Sequence, residues 1–101
     1  MPKYNPAKIE KIRQLVEAEI LPFVVYALYN KEANKIYIGQ THDLENRMTL
    51  HNTHILKGYT SRFQGEWRVI YSEFFLMRQE ALKREKELKS FRGREFVRTK
   101  I

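Results

Sequence analysis

Glu85 is the side chain whose position is hardest to explain as scaffold. With residues 77–91 read as a helix, it lies roughly 40° from Ala81, inside an arc shared with Met77, Leu82 and Leu88. Its neighbouring carboxylates, Glu80 and Glu87, fall outside that arc. A carboxylate on an apolar arc is costly unless a cation compensates it. The cation can be an arginine, with Arg47 and Arg84 as candidates, or a metal ion. The residues alone leave both open.

On an earlier helical segment, Arg47 and His51 fall roughly 60° and 20° from Leu44, at the border of the apolar stripe. Both would then edge a cleft. They read equally as a snorkelling surface charge and a satisfied boundary histidine. Between these segments, Lys57, Tyr59, Arg62 and Phe63 alternate cations with aromatic rings. Such interleaving suits a groove that tracks a phosphate backbone and stacks bases, although Tyr59 and Phe63 also serve as core residues.

The 101 residues, 43% of them hydrophobic, suffice for one compact domain with one core. Nineteen Lys and Arg against twelve Asp and Glu leave a formal charge of +7, which favours nucleic acid as the partner over an acidic or neutral one. The absence of cysteine excludes disulfides, thiolate catalysis and Cys-based zinc sites, so any metal must sit on oxygen or imidazole. His51 and His54 make only a weak i, i+3 pair, and four scattered glycines build no nucleotide cradle. No apolar run resembles a signal peptide or reaches the roughly 20 residues of a bilayer span, so a reducing cytoplasm is the expected compartment.

Positioning these residues requires an α+β arrangement. Asn5-Pro6 and the spacing of Ile9, Ile12, Leu15, Val16 and Ile20 predict an N-terminal helix closed by Pro22, an extension (residues 1–22) packed on a domain covering 23–101. Runs 23–29 and 35–40 predict two antiparallel strands joined by a short polar loop. In the expected register Tyr26 stands opposite Tyr37, with both phenols on one face. A helix is predicted from Asp43 to Leu56 with its stop at Lys57-Gly58, a third strand over 67–75 and a third helix over 77–91. The basic tail after it is left without a predicted structure.

From Val24 to about Phe91 the chain resembles the GIY-YIG nuclease family, in particular its small single-domain bacterial branch. Tyr37-Ile38-Gly39 is the second half of the family's name, and Val24-Val25-Tyr26 keeps only the tyrosine of the first. Asp43-Leu44 with Arg47 and His51, then Lys57-Gly58-Tyr59-Thr60, then Glu80-Ala81-Leu82 leading to Glu85, follow in the family's order. The resemblance implies a three-stranded antiparallel sheet flanked by helices, and a metal-dependent DNA endonuclease using one Mg²⁺ or Mn²⁺ ion held by Glu85. It assigns Tyr37 to water activation, Arg47 to the pentavalent phosphate, Tyr26 to orienting water or phosphate, and His51 to a place near the phosphate. Gly39 keeps the active face clear, and Gln40, Lys57, Tyr59, Arg62 and Phe63 are expected to contact nucleic acid.

Two departures bear on the site. Gln40 stands where some members carry lysine, and no asparagine follows Asn52, so Arg92, Arg94 or Arg98 is expected to take over part of the phosphate clamp. Without an appended recognition domain, substrate choice is expected to follow strandedness or shape, favouring single-stranded or branched DNA. No membrane partner and no small-molecule cofactor are expected. The competing readings are a catalytically silent nucleic-acid-binding module on the same fold and a protein-binding adaptor. Tyr37, Arg47 and Glu85 occurring together argue against the silent module.

Overall fold

A computed structural model describes residues 22–53 and 58–101. The near-continuous apolar run of β1 (Phe23–Asn30) places it at the centre of a three-stranded sheet, buried on both faces. It pairs antiparallel with β2 (Lys35–Thr41) on one side and β3 (Trp67–Phe75) on the other, giving the order β2-β1-β3. The remaining elements are α1 (Leu44–Asn52), a 3-10 turn (Tyr59–Arg62), α2 (Arg78–Lys89) and α3 (Phe91–Arg98). The chain is therefore α+β, as expected, while the predicted N-terminal helix lies outside the described residues.

The period-two alternation of the strands divides the core in two. Val25, Ala27, Tyr29, Ile36 and Ile38 face α2 and α3, where Ala81, Leu88 and Val97 close the layer. Val24, Tyr26, Leu28 and Trp67 face the other way, with Tyr37, Val69 and Phe74 beside them and Leu44 and Met48 of α1 above. Both phenols thus share the face covered by α1.

Their register differs from the expected one. Tyr26 stands opposite Gly39, and Tyr37 stands opposite Leu28. Asn30 pairs with Lys35, so residues 31–34 form a four-residue loop, whereas opposing Tyr26 to Tyr37 would need a loop of two. The shift of two residues keeps both side chains on the same face, because side-chain direction repeats with that period. The loop is held by Asn30, whose Oδ1 accepts from Ala33 N at 3.0 Å, and by Asn34, which adopts φ 53°, a conformation asparagine tolerates.

Helix α1 starts where its sequence indicates. Asp43 Oδ1 accepts from Asn46 N at 3.1 Å, satisfying one of the free amides of the first turn. It ends at Asn52, short of the expected Leu56, with Thr53 as its cap. The reason is tertiary: Asn52 bridges to β3, its Oδ1 accepting from Trp67 N at 2.7 Å and its Nδ2 donating to Trp67 O at 3.0 Å. Residues 54–57, with the expected stop at Lys57, lie outside the described residues.

The helix predicted over 77–91 is α2, which ends at Lys89, and the basic tail left without a predicted structure forms a further helix, α3. Ser90, in extended backbone, separates them. Its hydroxyl donates to Glu87 O at 2.6 Å and accepts from Gly93 N at 3.1 Å, closing α2 and capping α3 with one side chain. Gly93 permits the tight turn between them, since a Cβ there would lie 2.5 Å from Leu88 Cα.

Candidate active site

The site is built where β1, β2, α1 and the 3-10 turn meet. Tyr26 projects from the central strand and is almost wholly buried. Its hydroxyl lies 2.9 Å from His51 Nε2, and His51 Nδ1 lies 2.9 Å from Thr60 Oγ1. His51, 2% exposed, is thus held at both ring nitrogens. The Tyr37 ring packs 5.0 Å from His51 and 6.1 Å from Tyr26, centroid to centroid, and stacks on Tyr59 at 6.3 Å. Gly39 makes this crowding possible. A Cβ on it would stand 2.8 Å from the Tyr26 hydroxyl and 2.9 Å from Tyr37 Cε2.

Burial raises the Tyr26 pKa well above the ordinary phenol value, and the charge of an ionised Tyr37 raises it further. Tyr26 therefore keeps its proton at neutral pH. Arg47 acts in the opposite sense on Tyr26 and Glu85 in the same sense as Tyr37, so both charged groups stand within electrostatic reach of the buried phenol. Burial, and then Arg47, lower the His51 pKa, which keeps the imidazole neutral. A protonated phenol donates to Nε2; the neutral ring then carries its hydrogen on Nδ1 and donates to Thr60.

Arg47 lines an open cleft of about 370 Å³ with Gln40, Thr41, His42, Asp43, Phe23 and Arg78. A second cleft, of about 270 Å³, opens beside Tyr37 and is lined by Ile36, Ile38, Tyr59, Lys89 and Arg94. Glu85 is largely buried, its side chain 17% exposed, and its Oε1 accepts from Lys89 Nζ at 2.8 Å. The ion pair expected with Arg47 or Arg84 is therefore made with Lys89. Arg84 is taken by Glu73 on β3, at 2.6 Å, and by Glu87 at 3.1 Å.

Among the described residues no three His, Cys, Asp or Glu side chains gather around a point. The oxygen donor set for a metal is one carboxylate with its second oxygen free of protein partners among the described residues. That set fits a small hard cation that keeps most of its water, and does not fit one that needs a cage of protein ligands.

Other residues singled out by sequence fall in different places. Gln40 lines the Arg47 cleft, and Arg62 is exposed on the 3-10 turn. Phe63 is half-buried against Trp67, at 6.4 Å between ring centroids, so its ring serves the core. Lys57 lies outside the described residues. Of the three arginines considered for the phosphate clamp, Arg94 lines the Tyr37 cleft, whereas Arg98 donates to Asn34 Oδ1 at 3.5 Å and Arg92 is exposed. Sequence reasoning missed Thr60 as the support of His51, and Lys89, although its i, i+4 spacing from Glu85 was a usable signal.

Fold and site together define a small α+β domain in which Tyr37 and Arg47 line two separate clefts, Tyr26 is buried behind Tyr37, and Glu85 on α2 is compensated by Lys89. The family model of the GIY-YIG catalytic domain matches residues 22–96, and the chain belongs to this nuclease family, whose members are generally dependent on divalent metal. It is similar to a UPF0213 protein from Bacillus halodurans whose solution structure was determined by NMR, at 30% identity over 78% of this chain and 84% of that one, with a TM-score of 0.48. No curated protein matches the chain. No helix among the described residues is long and apolar enough to cross a membrane.

Proposed function

We propose that the protein is a metal-dependent endonuclease that hydrolyses phosphodiester bonds in single-stranded or branched DNA of the cytoplasm. The observation that carries this reading is the buried chain Tyr26–His51–Thr60 with Tyr37 packed on it, under the charges of Arg47 and Glu85. Tyr37 is the group that takes a proton from water. An isolated phenol, with a pKa near 10, is a weak base at neutral pH, so its ionisation needs the surrounding positive charge. Tyr26 holds its own proton and fixes the imidazole; His51 in turn fixes the rim of the site. Arg47 offers a planar fork of donors to the phosphate oxygens as charge develops on them. Glu85 is the residue that would hold Mg²⁺ or Mn²⁺, which when bound supplies charge neutralisation at the phosphate.

The ion pair between Glu85 and Lys89 favours a second reading, a silent binding module, because it already compensates the carboxylate. Labelled single-stranded, duplex and branched DNA incubated with each metal separates the two. Cutting that EDTA removes, and that Glu85→Ala or Tyr37→Phe abolishes while binding persists, supports the nuclease. Firm binding without cutting in either metal transfers the assignment to the silent module.

A further inference from the structure

The cleft beside Tyr37 holds two cations that the proposed chemistry does not use. Lys89 spends one of its three ammonium donors on Glu85 and keeps two. Arg94 donates its Nε–H to Lys89 O at 3.1 Å, which anchors the guanidinium at the end of α2 and leaves its terminal NH₂ groups uncommitted among the described residues. Arg94 has no carboxylate partner among the described residues. Tyr59, which lines the same cleft, is 40% exposed and packs against Tyr37 and Phe63, at 6.3 and 5.1 Å between centroids. Two donor-rich cations and a packed aromatic ring lining one cleft of about 270 Å³ are the groups that one nucleotide needs, cations for its phosphate and a ring for its base.

We infer that this cleft is a subsite for an unpaired nucleotide flanking the cut, with its phosphate between Lys89 and Arg94 and its base against Tyr59. The inference rests on the nuclease reading for its meaning but on binding alone for its test. A base inside a duplex is already stacked on both faces, so the ring discriminates for unpaired nucleotides. The lysine is shared between carboxylate and phosphate, tying occupancy of the cleft to the compensation of Glu85.

The test is fluorescence anisotropy of a short labelled single strand with the full chain in EDTA, over a salt series. Circular dichroism checks that each variant is folded. Arg94→Gln and Lys89→Gln should each lower the slope of log affinity against log salt by about 0.7. Tyr59→Leu should weaken binding about tenfold, and that loss should disappear on a strand with an abasic residue at the subsite. Arg68→Gln, in a separate cleft with Lys31, Glu32 and Glu66, should leave affinity and slope unchanged. Absent binding by the parent protein, an unchanged slope for Arg94→Gln, an equal drop for Arg68→Gln, or a Tyr59 effect that persists on the abasic strand would overturn the subsite. If the binding results hold and no metal supports cutting, the nuclease reading falls and the subsite stands. If cutting proceeds indifferent to Arg94 and Tyr59, the subsite falls and the nuclease stands.

Discussion

The Tyr26 hydroxyl and His51 Nε2 lie 2.9 Å apart with neither residue more than 2% exposed. Water cannot substitute for either partner. The contact therefore fixes the tautomer of the imidazole, and with it the donor that reaches Thr60 at 2.9 Å. Removing the ring by His51→Ala leaves a buried phenol and a buried hydroxyl without their partner, each costing about 1–3 kcal/mol.

His51 also makes stability depend on pH. Its folded-state pKa is lowered below the ordinary value near 6.5, so below that pH the unfolded chain binds a proton that the folded chain refuses. Stability attributable to His51 is full above about pH 6.5 and is lost as pH falls from there towards the folded-state value, with a slope of at most about 1.4 kcal/mol per pH unit. Urea unfolding of the parent and of His51→Gln between about pH 7.5 and pH 5 measures this. The stability gap between them should narrow on acidification; a constant gap would mean that the histidine titrates alike in both states.

Gly39→Ala separates site geometry from folding. The added methyl meets the end of the Tyr26 side chain at 2.8 Å and the edge of Tyr37 at 2.9 Å, and both rings must shift. Their shift disrupts the contact with His51. The expected result is a fall in kcat of about a hundredfold, in the range of misplaced catalytic groups, with a stability loss of about 1–3 kcal/mol. Single-turnover rates and urea midpoints on the same preparation give both numbers.

Gly93→Ala acts through packing instead. Its Cβ would press on the backbone of α2 at Leu88 and Glu87, which cannot swing aside as a side chain does. Alanine ordinarily stabilises an exposed helix over glycine by up to about 1 kcal/mol, but here overpacking reverses the sign. A loss of at least about 1 kcal/mol in urea unfolding is expected; a gain would show that α3 can move off α2 without cost.

How far the chain could be read in advance varies with the kind of signal. The central strand declared itself, because Phe23–Asn30 is apolar on both faces, and the α1 start declared itself through Asp43. The face shared by Tyr26 and Tyr37 followed from parity, whereas their partners depended on loop length, to which parity is blind. The helix of the basic tail was hidden for another reason: a serine reveals nothing until its hydroxyl closes one helix and caps the next. Glu85 was singled out by its arc, but its partner was sought among arginines. Arg84 was already committed to Glu73 across the α2–β3 interface, a contact that no local spacing encodes.

Arg47 can act through its charge or through its shape, and two substitutions tell these apart. Its positive charge lowers the pKa of His51 and opposes the rise at Tyr26. Arg47→Lys retains that charge, so the His51 titration followed by NMR should stay low, while Arg47→Gln should let it rise towards 6.5. If the planar fork is what the phosphate requires, Arg47→Lys should still lose about 10²-fold or more in kcat, although the local field is preserved. Should Arg47→Lys cut at the parent rate while Arg47→Gln does not, the guanidinium serves as a point charge, and the bidentate role assigned to it is wrong.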